Sequence, residues 1–130
     1  MKLTREQAIE EHRKMWNWIA DETLKRRKCV YKRDYLETQN IKLFDLYVNC
    51  FLCHYARQFD DGYKDCSRCP LEWRKSGDTR YSGNEYCICD KDGMLYREWS
   101  YAKFSPIFSS KHIADLARKI ANLPEKESER

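Results

Sequence analysis

Two Cys-x-x-Cys pairs, Cys50-Phe-Leu-Cys53 and Cys66-Ser-Arg-Cys69, stand twelve residues apart and constrain this chain more than any other feature. A two-residue gap lets a tight turn aim two sulfurs at one ion. A second such turn completes a tetrahedron with bonds of about 2.3 Å. A twelve-residue connection can close that loop at modest entropic cost, and Asp60-Asp61-Gly62 supplies turn residues inside it. The spacing predicts a structural zinc on Cys50, Cys53, Cys66 and Cys69.

The alternative chemistry for seven cysteines is a disulfide framework. That requires an oxidising compartment. The N-terminal MKLTREQAIEEHRK has no apolar run and no small-residue cleavage pattern, which points to a reducing cytoplasm. No stretch approaches the ~18 apolar residues of a membrane span. A thioredoxin-like redox pair would sit in a βαβ context, and the sequence shows none. Cys87 and Cys89 exceed what one tetrahedral zinc can take. Either could replace a ligand of the first set, or a second site could form with His54; Cys87 is the better substitute. Cys29 stands apart and reads as a small apolar residue. His12 and His112 fall on helices and read as packed or solvated.

With 130 residues the chain is one domain in size. Its apolar content is unusually aromatic, with four Trp, nine Tyr and five Phe. Such a core gains from a metal staple. The expected fold is mainly α, with a small α+β arrangement left open. It is a single zinc-stabilised domain over residues 1–124, with N- and C-terminal helices around an irregular four-cysteine centre. Residues 125–130 are expected to be a polar, disordered tail.

Residues 4–28 predict the longest helix. Thr4 and Gln7 form a capping-box pattern. Ala8, Ile9, His12, Trp16, Ile19, Ala20 and Thr23 share one face. Residues 33–38 allow one short helical turn. Residues 41–48 fit both helical and strand periods, with helix preferred. Residues 50–90 hold six of the seven cysteines and are broken by Gly62, Pro70, Gly77 and Gly83, so much of this stretch reads as loop. A short helix is expected at Pro70–Trp73 because Pro suits a first helical position. Residues 93–103 predict a helix with Leu95, Trp99 and Ala102 inward. Ser109 or Ser110 caps another over 110–122, with Ile113, Leu116, Ala117 and Ile120 on its apolar face.

The formal charge is +4. A zinc held by four thiolates contributes about −2, so the loaded protein lies near +2. The balance is uneven: residues 1–33 carry ten Lys and Arg against five Asp and Glu, and the rest carries fifteen against sixteen. Lys25, Arg26, Arg27, Lys28, Lys32 and Arg33 are therefore the candidate nucleic-acid contacts, with Tyr31 and Tyr35 interleaved as stacking rings. The bland account is a solvated helix end.

The segments HRKMWNWIA (12–20), CFLCHYA (50–56), CSRCPLEW (66–73), GMLYREW (93–99) and ARKIANLP (117–124) together resemble small, uncharacterised phage and prophage proteins of Firmicutes. In that pattern two Cys-x-x-Cys pairs precede one more cysteine, a Gly–Leu–Tyr–Trp segment and a helix ending in Ala–Leu–Pro. The resemblance spans most of the chain and implies a zinc-binding phage accessory protein, with no settled activity. A host protein is the partner such an origin suggests, for instance one blocked as an anti-defence measure. The later cysteine matches Cys87 or Cys89.

An enzyme is disfavoured. H-E-x-x-H and H-x-E are absent, Pro70 follows rather than precedes its Cys-x-x-Cys, and no phosphate-binding glycine loop appears. Four thiolates leave no open zinc position. The expectation is a non-catalytic module that binds a host protein, with nucleic acid as the alternative. Trp18 is the candidate anchor, because it falls off the Trp16 face of the first helix.

Overall fold

A computed structural model describes residues 2–42, 45–46, 50–59, 68–74, 88–91, 93–105 and 107–126. Among them the protein is mainly helical: α1 (Arg5–Arg26), α2 (Lys32–Thr38), α3 (Phe51–Arg57), α4 (Leu95–Ala102) and α5 (Ser110–Ala121), with a 3-10 turn at Ile88–Asp90. No described helix is long and apolar enough to cross a membrane.

α1 begins as its sequence predicts. The Thr4 hydroxyl accepts from the Gln7 amide at 3.1 Å, and the Gln7 side chain accepts from the Thr4 amide at 2.9 Å. Two otherwise orphaned amides are thereby satisfied. The helix stops at Arg27, which adopts a left-handed conformation (φ 58°). Its expected face is fully buried, and Met15 joins it. The Thr23 hydroxyl accepts from the Val30 amide at 3.4 Å, cinching the turn into α2.

α1 is the hub, packing on α2, α3 and α5, while α4 packs on α5. α1 and α5 run antiparallel. Arg5 bonds Glu125 near one end, and Arg118 reaches Asn17 and Asp21 near the other. The capped C-terminal helix buries the predicted face of Ile113, Leu116, Ala117 and Ile120, together with Ala114 and Ala121, and packs chiefly on α1. The core closes on aromatic edges. Trp99 lies edge-on to Trp16 at 4.8 Å between ring centroids, and Tyr96 meets Trp16 at 6.1 Å.

Three local expectations change. Pro70–Trp73 is not a helix. Leu71 forms an antiparallel bridge with Glu125, the Glu72 amide donates to the Pro124 carbonyl at 2.9 Å, and the Lys126 amide donates to the Pro70 carbonyl at 2.8 Å. These long-range bonds outweigh the helix-initiating preference of Pro70. The polar stretch expected to begin at Glu125 is therefore engaged at its start, and Arg5 adds bonds to Glu125 and to the Lys126 carbonyl. α3 was expected as loop, yet Phe51, Leu52, Tyr55 and Ala56 bury one face of it. The assignment at 41–48 lies mostly outside the described residues; Leu46, within them, is buried.

His12 is the buried polar group of the α1–α5 seam. Its Nε2–H donates to the Ile120 carbonyl at 2.9 Å, and Trp16 and Trp73 flank the ring. Burial pushes its pKa from 6.5 down to about 4; the Ile120 bond opposes this, and Arg13 and Lys32 add to it. The unfolded chain thus takes up this proton first. The stability from a neutral His12 is complete above about pH 6.5 and is lost as pH falls toward 4, by roughly 3 kcal/mol. His12→Gln, which can still donate to Ile120, is expected to flatten that part of the urea-denaturation pH profile. Parallel profiles for the two proteins would show that His12 is not held neutral.

Candidate metal centre and flanking surfaces

The first Cys-x-x-Cys pair is built by α3 itself. Cys50 is the N-cap, and its sulfur accepts from the Cys53 amide at 3.4 Å. The helix start therefore aims amide hydrogens at a thiolate, which favours the charged form. The two sulfurs compete for one proton. The Cys53 thiol holds the Cys50 pKa below the ordinary thiol value; burial opposes it, and Lys32 and the Cys53 and Leu52 amides reinforce it. Cys50, then burial, hold Cys53 well above that value, and the charges of Cys89 and Cys69 raise it further. Cys50, Cys53, Cys69 and Cys89 thus lie within electrostatic reach in one region. Cys69 is buried, and Cys50 and Cys89 pack against the same apolar core.

Lys32 belongs to this region rather than to an outward basic strip. Its ammonium lies 4.8 Å from the Tyr96 ring centroid. Burial lowers its pKa, but Cys50, Tyr96 and Cys53 together outweigh that and hold it above the ordinary lysine value. A lysine so placed offsets negative charge gathered on the sulfurs.

Of the four expected zinc ligands, Cys50, Cys53 and Cys69 are described, and Cys66 lies outside the described residues, as does Cys87. Among the described residues no group of three or more His, Cys, Asp or Glu is arranged to hold a metal ion. His54 sits on α3 directly after Cys53, its amide donating to the Cys50 carbonyl at 2.9 Å. Cys29, at the α1–α2 junction, packs against the same apolar core. Burial raises its pKa from 9.0 to about 11, with Lys103 opposing and Asp34 adding, so its thiol is neutral and donates to the Val30 carbonyl at 3.3 Å.

Three of the six basic candidates line one groove, and Lys32 turns toward the cysteine region. Arg26 is held by Glu22, with bonds of 2.9 and 3.2 Å. Arg27 is the left-handed cap of α1. Lys32 turns toward Tyr96. Arg26, Lys28 and Arg33 line a groove of about 520 Å³ with Cys29, Val30, Tyr31, Asp34 and Lys103. Lys25 is exposed outside it.

Trp18 is half-buried. It meets Tyr35 edge-on at 5.6 Å, and the Arg26 guanidinium lies 5.9 Å from its centroid. It also lines a shallow groove with Glu10, Arg13, Lys14, Asn17, Asp21 and Tyr35.

The three most exposed large apolar side chains among the described residues, and a fourth, Phe108, lie within eight consecutive residues at the α4–α5 connection. Tyr101 is 63 % exposed, Phe104 73 %, Ile107 83 % and Phe108 42 %. His112 stacks on Phe108 at 4.6 Å. Sequence reading missed this surface because it followed the inward face of α4. The available signal was four large apolar residues in a stretch broken by Ser105 and Pro106. Comparison with protein-family models, with curated proteins and with solved structures finds no match to this chain.

Proposed function

We propose that this chain is a non-catalytic interaction module, stapled by one zinc, that binds a host protein through its α4–α5 connection. The observation that carries the reading is the exposure of Tyr101, Phe104, Ile107 and Phe108 together. Clustered apolar side chains of this size are characteristic of binding sites rather than of free surface, and aromatic anchors dominate binding energy. Ile107, the most exposed of them, can neither stack on a base nor contact a phosphate usefully, which favours a protein partner at this patch. Lys103, whose ammonium lies 5.0 Å from the Phe104 ring centroid, gives the patch a cationic edge that suits an apolar partner surface bordered by carboxylates.

The zinc part rests on donor chemistry. Paired soft thiolates at this spacing, a helix start that favours the thiolate and a neighbouring lysine suit a closed zinc–sulfur centre. Cys50, Cys53 and Cys69 would hold the ion, with the fourth thiolate from Cys66, as the spacing suggests, or from Cys89, whose charge reaches Cys53. A closed site of this kind is structural.

The phage resemblance supports a host protein as the partner. A partner recovered on the immobilised protein, identified and then purified, is expected to bind Phe104→Ser/Ile107→Ser at least about 100-fold more weakly, with an unchanged melting temperature. Retained affinity in that variant would move the binding site away from the patch. A concentration-dependent dimer that the variant abolishes would assign the patch to self-association instead.

A further inference from the structure

The groove between the α1–α2 junction and α4 holds a charge arrangement of which the apolar patch uses only Lys103. Lys28 and Arg33 line it together with Lys103, some seventy residues later in the chain. Neither Lys28 nor Arg33 has a hydrogen-bond or ion-pair partner among the described residues. Arg26 lines the groove but is committed to Glu22. The one acid in the lining, Asp34, accepts from the Tyr31 amide at 2.7 Å and keeps its charge, so it offsets only one of the three cations Lys28, Arg33 and Lys103. Cations converging from two separate segments are not the solvated end of one helix. They repel one another across the groove unless an anion lies between them.

Tyr31 stands among these charges, 38 % exposed. Lys103 lies 5.2 Å from its ring centroid and 4.5 Å from that of Trp99, so the ammonium is held in place rather than free to swing. Burial holds the Lys103 pKa below the ordinary lysine value; Cys29 and Asp90 oppose this, and Lys32 adds to it. An anion in the groove would offset the repulsion from Lys32.

We propose that this groove binds the phosphodiester backbone of single-stranded nucleic acid, with Lys28, Arg33 and Lys103 on successive phosphates and Tyr31 stacking on an unpaired base. Separated cations suit a chain of monoanionic phosphates better than one compact dianion, and an exposed ring among them suits a base. The site shares Lys103 with the protein-binding patch and differs from it in Lys28, Arg33 and Tyr31, the residues that the variants below replace.

The test is fluorescence anisotropy of the zinc-loaded protein with a labelled oligothymidylate of roughly 12 nucleotides across a salt series. Three phosphate contacts predict a log–log salt slope of about −2. Lys28→Ala/Arg33→Ala, both exposed positions, is expected to cut the slope to about −0.7 and to weaken low-salt binding at least about 10-fold. Tyr31→Ala should weaken binding about 5- to 100-fold with little change in slope, and Tyr31→Phe should restore it. Absence of binding at ~50 mM salt, where such contacts are strong, would overturn the assignment. So would a salt slope that survives the double variant. Polyglutamate competing as well as unlabelled oligonucleotide would make the groove a general polyanion or acidic-protein site, and inorganic phosphate or thymidine monophosphate competing equally would make it a small-anion site. Either outcome replaces the proposal. Failure of the host-protein reading leaves these measurements unaffected, since they use no protein partner.

Discussion

Stripping the metal from the purified protein with a strong chelator is expected to release one zinc per chain and to abolish cooperative unfolding. Zinc–thiolate centres contribute on the order of 10 kcal/mol to folding, as much as the whole net stability of a typical domain. The dependence should be sharp here because α3 supplies Cys50 and Cys53 and also buries Phe51 and Leu52 in the core. Loss of the ion would leave buried thiols around a helix that packs directly on α1. Cys53→Ser and Cys69→Ser should each mimic the chelator, whereas Cys29→Ser, outside the proposed ligand set, should keep both metal and melting temperature. Comparing Cys66→Ser with Cys89→Ser identifies the fourth thiolate, since only the ligand variant loses zinc. Protein from zinc-replete cells that carries no metal, and whose melting temperature ignores the chelator, would remove the zinc from this account.

Trp99→Ala is expected to cost about 3–5 kcal/mol, a large part of the net stability of a domain this size. Trp99 is 1 % exposed and sits where α4 meets the α1–α5 layer. Trp16 lies edge-on to it, Tyr96 follows at 5.9 Å, and the Lys103 ammonium rests over its ring. Truncation therefore removes an apolar surface, two ring contacts and a cation contact at once. Trp99→Phe should cost much less than the alanine variant. The smaller ring keeps most of the packing and deletes an indole N–H that has no hydrogen-bond partner among the described residues. Urea unfolding of the zinc-loaded variants, followed by circular dichroism, gives both numbers. A cost under about 1 kcal/mol for the alanine variant would mean that the aromatic layer does not bear on stability as its burial implies.

Where local signals agreed with burial, the sequence was readable. Thr4 with Gln7, and Ser109 ahead of α5, marked helix starts because capping depends on side chains within three residues of the cap. The apolar stripes of α1 and α5 were legible because both repeat at the helical period; that the two stripes pack on one another, rather than around a cysteine centre, came from the structure. The missed helix α3 had its own stripe, in Phe51, Leu52, Tyr55 and Ala56, but turn residues and cysteines on its C-terminal side masked it. Trp18 was expected to be an outward anchor because the α1 period turned it off the Trp16 face; the ring of Tyr35, brought in by α2, lies against it.

Composition and spacing alone determined that the chain is mainly helical and that α1 and the C-terminal helix each present an apolar face. These are properties of residues within one or two helical turns of each other, where backbone geometry links sequence distance to spatial distance. Tertiary structure decided what depends on residues far apart in the chain. Backbone bonds from Pro70 and Glu72 to residues 124–126 turned an expected helix into an extended strap. Cys89 came within reach of Cys53. One basic run was divided: Lys32 went to the cysteine region, while Lys28 and Arg33 met Lys103 across a groove. No local preference encodes such meetings, because they follow from how the helices pack and which side chains that packing leaves facing one another.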